Sequence, residues 1–177
     1  LALPRAALAV ALALIAVHGV ERRVGQALHP PALAAIPAAA ADGVRTTAPD
    51  AAALRALIPY VQARAPDGAQ VLVAPPRYDR VRVGDPMLNV LLDRPNPTRY
   101  DIQAPGVVTS APVQREIIAD LERAKPRVVV RDTSPVTAAP EPSRAGESTG
   151  VTLLDDYLAE RYREVERNGA LVVLERR

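Results

Sequence analysis

The chain has no cysteine, no phenylalanine and no tryptophan, and it holds one methionine, two histidines and five tyrosines among 177 residues. Without cysteine there is no disulfide scaffold, thiolate metal site, lipoprotein anchor or cysteine nucleophile. A zinc site would have to be assembled from His18, His29 and carboxylates. With aromatics at 3% of the chain, a large aromatic pocket is excluded. The apolar core must come from Ala, Val, Leu and Ile. Lysine is nearly absent too, with 21 arginines against one Lys.

What is present is 49% hydrophobic and 24% charged residues, which is the composition of a folded domain. The 18 prolines break that material into short segments. The net charge of +2 resides in residues 1–49, because residues 50–177 carry 18 bases and 18 acids. Binding to a phosphate backbone needs a concentrated basic face with aromatic or Gly-rich elements, and no such pattern occurs, so nucleic acid is not an expected partner.

Along the chain, Ala6 to Val17 is an unbroken apolar run between Arg5 and the Glu21-Arg22-Arg23 cluster. Residues 1–23 read as a transmembrane helix, truncated at a start that lacks Met; a signal peptide or uncleaved anchor and a buried soluble helix are the alternatives. Residues 24–49 form an Ala/Pro-rich connector. Residues 50–177 read as an α/β domain.

In that domain, Asp50 opens a helix carrying Leu54, Leu57, Ile58 and Val61 on one face, with Pro59 expected to kink or limit it. Gln70 to Ala74 is a short buried strand, and Val81 to Val83 a further edge strand. Asp85-Pro86 starts a helix through Leu92. A strongly amphipathic helix with Val113, Ile117, Ile118 and Leu121 precedes the strand Val128 to Val130. Residues 132–150 read as a mobile loop. Thr152 with Asp155 caps a last helix that carries Tyr157, Tyr162 and Val165 inward and ends at Asn168-Gly169, and Ala170 to Leu174 is the final strand. The repeated helix-then-strand order predicts a small, mostly parallel sheet of three to four strands flanked by helices and preceded by the transmembrane helix. Val71 to Val73, Val128 to Val130 and Leu171 to Val173 are then parallel neighbours.

Candidate chemistry is sparse. There is no Gly-rich phosphate loop, paired-histidine motif or nucleophile elbow. No catalytic, cofactor-binding or metal-ligating residue is assigned. His18 and His29 read as interfacial or solvated, and Asp155 and Asp156 as carboxylates favoured at a helix N-terminus. The most individual stretch, Leu92 to Asp101, reads either as a proline-stiffened turn or as a ligand or acceptor rim formed by Arg94, Asn96, Arg99 and Tyr100.

Asn89 to Asp93, the Arg94-Pro95-Asn96-Pro97-Thr98-Arg99-Tyr100 run, the helix Val113 to Glu122, the Lys125 to Val130 strand and the closing Tyr157 to Tyr162 and Leu171 to Leu174 segments together resemble a known pattern, over roughly residues 50–177. It is that of the C-terminal soluble region of bacterial polytopic membrane glycosyltransferases of the GT-C superfamily, akin to protein O-mannosyltransferases and aminoarabinose transferases. The resemblance implies a parent enzyme in the plasma membrane that transfers a sugar from a polyprenyl-phosphate donor to an extracytoplasmic acceptor. Its partners would be the lipid bilayer and the upstream membrane part of the same protein. The family's catalytic acidic residue belongs to a loop upstream of Leu1, so this fragment would be non-catalytic and cofactor-free, with its domain extracytoplasmic. A different class of function also fits the residues, namely a single-anchor envelope protein whose α/β domain binds a cell-wall or protein partner.

Overall fold

The computed structural model describes residues 5–29, 32–80, 85–101, 106–133 and 147–177. The expected edge strand at Val81 to Val83 and most of the expected loop at 132–150 lie outside the described residues. Two units are distinguished, Leu1–Leu33 and Ala34–Arg177.

The first unit is dominated by α1 (Arg5–Leu28). Its uninterrupted apolar stretch is short, since Ala6 to Val17 is 12 residues, about 18 Å of helix against the roughly 30 Å of a bilayer core. The same helix then continues through His18, Glu21, Arg22 and Arg23. Among the described residues, no helix is long and apolar enough to cross a membrane. That corrects the expected transmembrane helix.

Strands β1 (Leu33–Ala35), which starts on the last residue of the first unit, and β2 (Arg45–Thr47) pair as a two-stranded sheet. Thr47 caps α2 (Ala48–Arg64): its Oγ1 accepts from the Asp50 backbone N–H and donates to the Asp50 carboxylate at 2.6 Å. Asp50 therefore sits inside the first turn. Pro59 lies within α2, and the helix nonetheless continues to Arg64. Then follow β3 (Leu72–Ala74), α3 (Met87–Leu92), α4 (Ala111–Ala124), β4 (Val128–Asp132), α5 (Leu153–Arg161), β5 (Tyr162–Asn168) and β6 (Leu171–Arg176).

The main sheet has the order β3-β4-β6-β5. Only β3 and β4 run parallel, with Val73 opposite Val130, whereas β6 is antiparallel to both β4 and β5. The sheet is mixed, which corrects the expectation of a mostly parallel one. The cause is local. The final helix stops at Arg161, and Tyr162–Asn168 becomes a strand that turns back through Gly169 and Ala170. A hairpin joins antiparallel neighbours, so β6 enters the sheet in the opposite direction to β4. A bulge between Glu164 and Glu166 shifts the β5 register.

Helices cover both faces of the sheet. On one side, Leu57, Val61 and Leu92 pack with Val73, Val128, Val130 and Val173. On the other, Ile117, Leu121, Leu154 and Leu158 pack with Leu72, Val129, Val172 and Leu174. Successive strand residues alternate between these two cores, which is why β4 and β6 read as continuous apolar runs.

Candidate functional site

The four residues of the expected rim do not face one ligand. Arg94 is buried, and its guanidinium is consumed internally: Nε donates to the Ala65 carbonyl at 2.8 Å, Nη1 to the Asp93 carbonyl at 2.6 Å and Nη2 to the Asp67 carboxylate at 3.0 Å. It ties the end of α2 to the turn after α3. Asn89 works beside it, its amide donating to the carbonyls of Val71 and Arg94 at 2.9 and 3.0 Å. Asn96 shapes the turn itself, accepting from the Thr98 N–H at 3.1 Å and donating to the Tyr100 carbonyl at 3.2 Å.

Of the other two, Arg99 is exposed and Tyr100 is half-buried, as Asn96 also is. Both engage Glu116 on α4: Arg99 Nε lies 2.8 Å from one carboxylate oxygen, and the Tyr100 hydroxyl donates to the other at 2.8 Å. Hydrogen bonds from Tyr100 and Arg99 hold the Glu116 carboxyl below its ordinary range. This trio closes on itself, and Arg94 and Asn96 are structural supports of the turn that presents it.

A second polar constellation, absent from the sequence reading, occupies the carboxyl end of the parallel pair β3 and β4. The chain leaving β3 runs through Arg77, Tyr78, Asp79 and Arg80. Asp79 is fully buried. Arg77 grips its carboxylate with a two-pronged contact at 2.8 and 2.6 Å, and the Ser148 hydroxyl donates to it as well. The Asp79 carbonyl accepts from the Thr149 N–H at 2.7 Å. Burial works against the charged form, but hydrogen bonds from Ser148 and Arg77, with the charges of Arg77 and Arg80, outweigh it and hold the carboxyl below its ordinary value.

Gln114, on α4, completes the joint. Fully buried, it donates to the carbonyls of Tyr78 and Val151 at 3.2 and 3.0 Å and accepts from the Leu154 N–H at 3.0 Å. One amide thereby links the exit of β3, the segment before α5 and the first turn of α5. Asp155 reaches across from that turn, and its Oδ2 accepts from the Tyr78 N–H at 3.0 Å. Burial pushes the Asp155 carboxyl up. Its neighbour Asp156 takes the Thr152 hydroxyl at 2.8 Å, so the two carboxylates serve different contacts.

No group of three or more His, Asp or Glu side chains that could hold a metal ion occurs among the described residues. An open depression of ≈ 410 Å³ beside α2 is lined by Ala34, Ala48, Ala51, Ala52, Arg55 and Ala56, which offers one charged group and little else. Another, of ≈ 440 Å³, lies at the amino end of β3 and β4 between Arg64, Gln70, Pro95, Lys125 and Arg127. The constellation around Asp79 could have been suspected from position alone, because the residues following a strand of a parallel pair gather where α/β sheets place their ligands.

No family model, no curated protein and no solved structure matches this chain.

Proposed function

We propose that Ala34–Arg177 is the non-catalytic domain of a larger glycosyltransferase, one that moves a sugar from a polyprenyl-phosphate donor to an extracytoplasmic acceptor. The resemblance of residues 89–130 and 157–174 to the soluble C-terminal region of GT-C enzymes names the reaction. The observation that carries the non-catalytic role is the use made of those residues. Asn89, Arg94 and Asn96 spend their polar atoms on backbone groups and a turn, and Gln114 spends all of its own on joining α4 to α5. A catalytic group must instead hold a polar atom ready for substrate. In this reading the motif specifies a fold, and the Arg99, Tyr100 and Glu116 surface faces the acceptor side.

The reading is tested by comparing the product of the whole reading frame with residues 1–177 alone, each supplied with polyprenyl-phosphate sugars. Transfer by the whole product and none by residues 1–177 is the expected result. Transfer by residues 1–177 alone would overturn the non-catalytic role, and absence of transfer by the whole product would overturn the glycosyltransferase reading.

A further inference from the structure

Arginine is usually found paired when its guanidinium is partly buried, because the charge loses water that must be replaced. Arg80 and Arg131 depart from that. Each has its Nε shielded from solvent with no hydrogen-bond partner, and neither forms a hydrogen bond through its side chain, or an ion pair, with any described residue. Arg131 stands on β4 opposite Ala74, the last residue of β3. Arg80 lies six residues beyond that same strand end and is bridged antiparallel to Ser148. Both therefore belong to the carboxyl end of the parallel pair.

The carboxylates nearby are already engaged. Asp79 holds Arg77 and Ser148, and Asp155 holds the Tyr78 N–H. The charge of Arg80 reaches Asp79 and that of Arg131 reaches Asp155, and the two carboxylates influence each other, so all four groups share one neighbourhood. Arg77 adds a third positive charge, which is paired with Asp79. The other basic surface, around Arg64, Lys125 and Arg127, is less suited to an anion. There α2 and α4 end, turning the negative ends of their dipoles outward, and Arg64 is paired with Glu175 at 2.7 Å.

We propose that Arg80 and Arg131 form a binding site for a phosphate group at the carboxyl end of β3 and β4. A tetrahedral phosphate can present a separate pair of oxygens to each of two guanidinium forks, whereas a carboxylate has a single pair of oxygens that two forks would have to share. The group can belong to a soluble phosphate ester or to the headgroup of a phospholipid. The site is independent of the glycosyltransferase reading, since it requires only residues of this chain.

The direct readout is the set of arginine Nε–H resonances in ¹H–¹⁵N NMR spectra of the full chain, assigned with Arg80→Lys and Arg131→Lys. Inorganic phosphate should shift the Arg80 and Arg131 signals saturably. Each lysine variant, which retains charge but lacks the fork, should weaken binding about tenfold. Arg123→Gln, on the exposed face of α4, should leave the affinity unchanged. Glycerol phosphate and vesicles containing phosphatidylglycerol then distinguish the sources: a response to either supports the site and names its ligand. The proposal is overturned if no probe shifts the two signals saturably, or if both lysine variants bind phosphate as the native chain does. Should a variant fail to fold, the native Arg80 and Arg131 signals decide alone.

Discussion

The carboxylate of Asp79 is buried, but its charged partner is half in water, since the Arg77 side chain is 50% exposed. Its worth is therefore below that of a fully buried ion pair, and Asp79→Asn is expected to cost about 1–3 kcal/mol, the range for losing charge-assisted hydrogen bonds. The pH dependence follows from the sign of the shift. Asp79 ionises more readily in the folded chain than its ordinary value of 3.8, so its contribution is complete above that value and is lost as the pH falls through the lowered one. Urea midpoints of the native and Asp79→Asn chains should differ by a constant amount from neutrality down to about pH 4, and converge below it. A gap that stays constant in acid would contradict the assignment. Nothing in the sequence marks Asp79 as buried, or Gln114 as the residue that fills three backbone vacancies. Both depend on contacts between segments 36 to 70 residues apart. By contrast, the turn chemistry of Asn96 and Thr98 is local and could be read directly, although it favours the proline-stiffened turn over an open rim for Arg94 and Asn96.

Among the elements, the stretch from Tyr157 to the end of the domain shows where local pattern misleads. Tyr157, Leu158, Tyr162 and Val165 have helical spacing, and the Asn168-Gly169 pair suits either a helix end or a hairpin. The structure takes the hairpin, because β6 needs a partner on the side away from β4, and β5 supplies it. Arg163, Glu164, Glu166 and Arg167 then line an edge strand, where charge discourages pairing with another chain. α4 was legible for the opposite reason, as its buried Ile117 and Leu121 and exposed Arg115 and Arg123 follow one period throughout. The hairpin makes Gly169 testable. Its φ is +61°, and a Cβ there would meet only the Ala53 Cβ at 3.8 Å, an ordinary contact. Gly169→Val should therefore be destabilised by backbone conformation alone, by about 1–2 kcal/mol. Thermal unfolding should show Tm lower by about 2–8 °C. Gly169→Asn, which tolerates the left-handed region better, should lose less. An unchanged Tm for the valine variant would place the turn elsewhere.

For the molecule as a whole, stability is concentrated at the centre of the four-stranded sheet, where β4 and β6 are each flanked on both sides by strands and on both faces by helices. Val129 sits there, opposite Leu72 on one side and Leu174 on the other, with no exposed surface. The direction of β6 does not alter that burial, so the mixed topology leaves Val129 as central as a parallel one would. Val129→Asp must either ionise in the core or fold with a neutral carboxyl lacking partners, and each route costs several kcal/mol against a total of about 5–15 kcal/mol. Ala52→Asp is the matched comparison. Ala52 is exposed near the start of α2, where a carboxylate meets the positive end of the helix, and the change should stay within about 0.5 kcal/mol. Chemical denaturation should therefore find the Ala52→Asp midpoint near that of the native chain, with Val129→Asp largely unfolded before denaturant is added. Because β3, β4 and β6 share one core on either face, tyrosine fluorescence and far-UV circular dichroism should report the same transition. Equal midpoints for the two variants would mean that β4 is not the centre of the sheet, and the two-faced core described above could not stand.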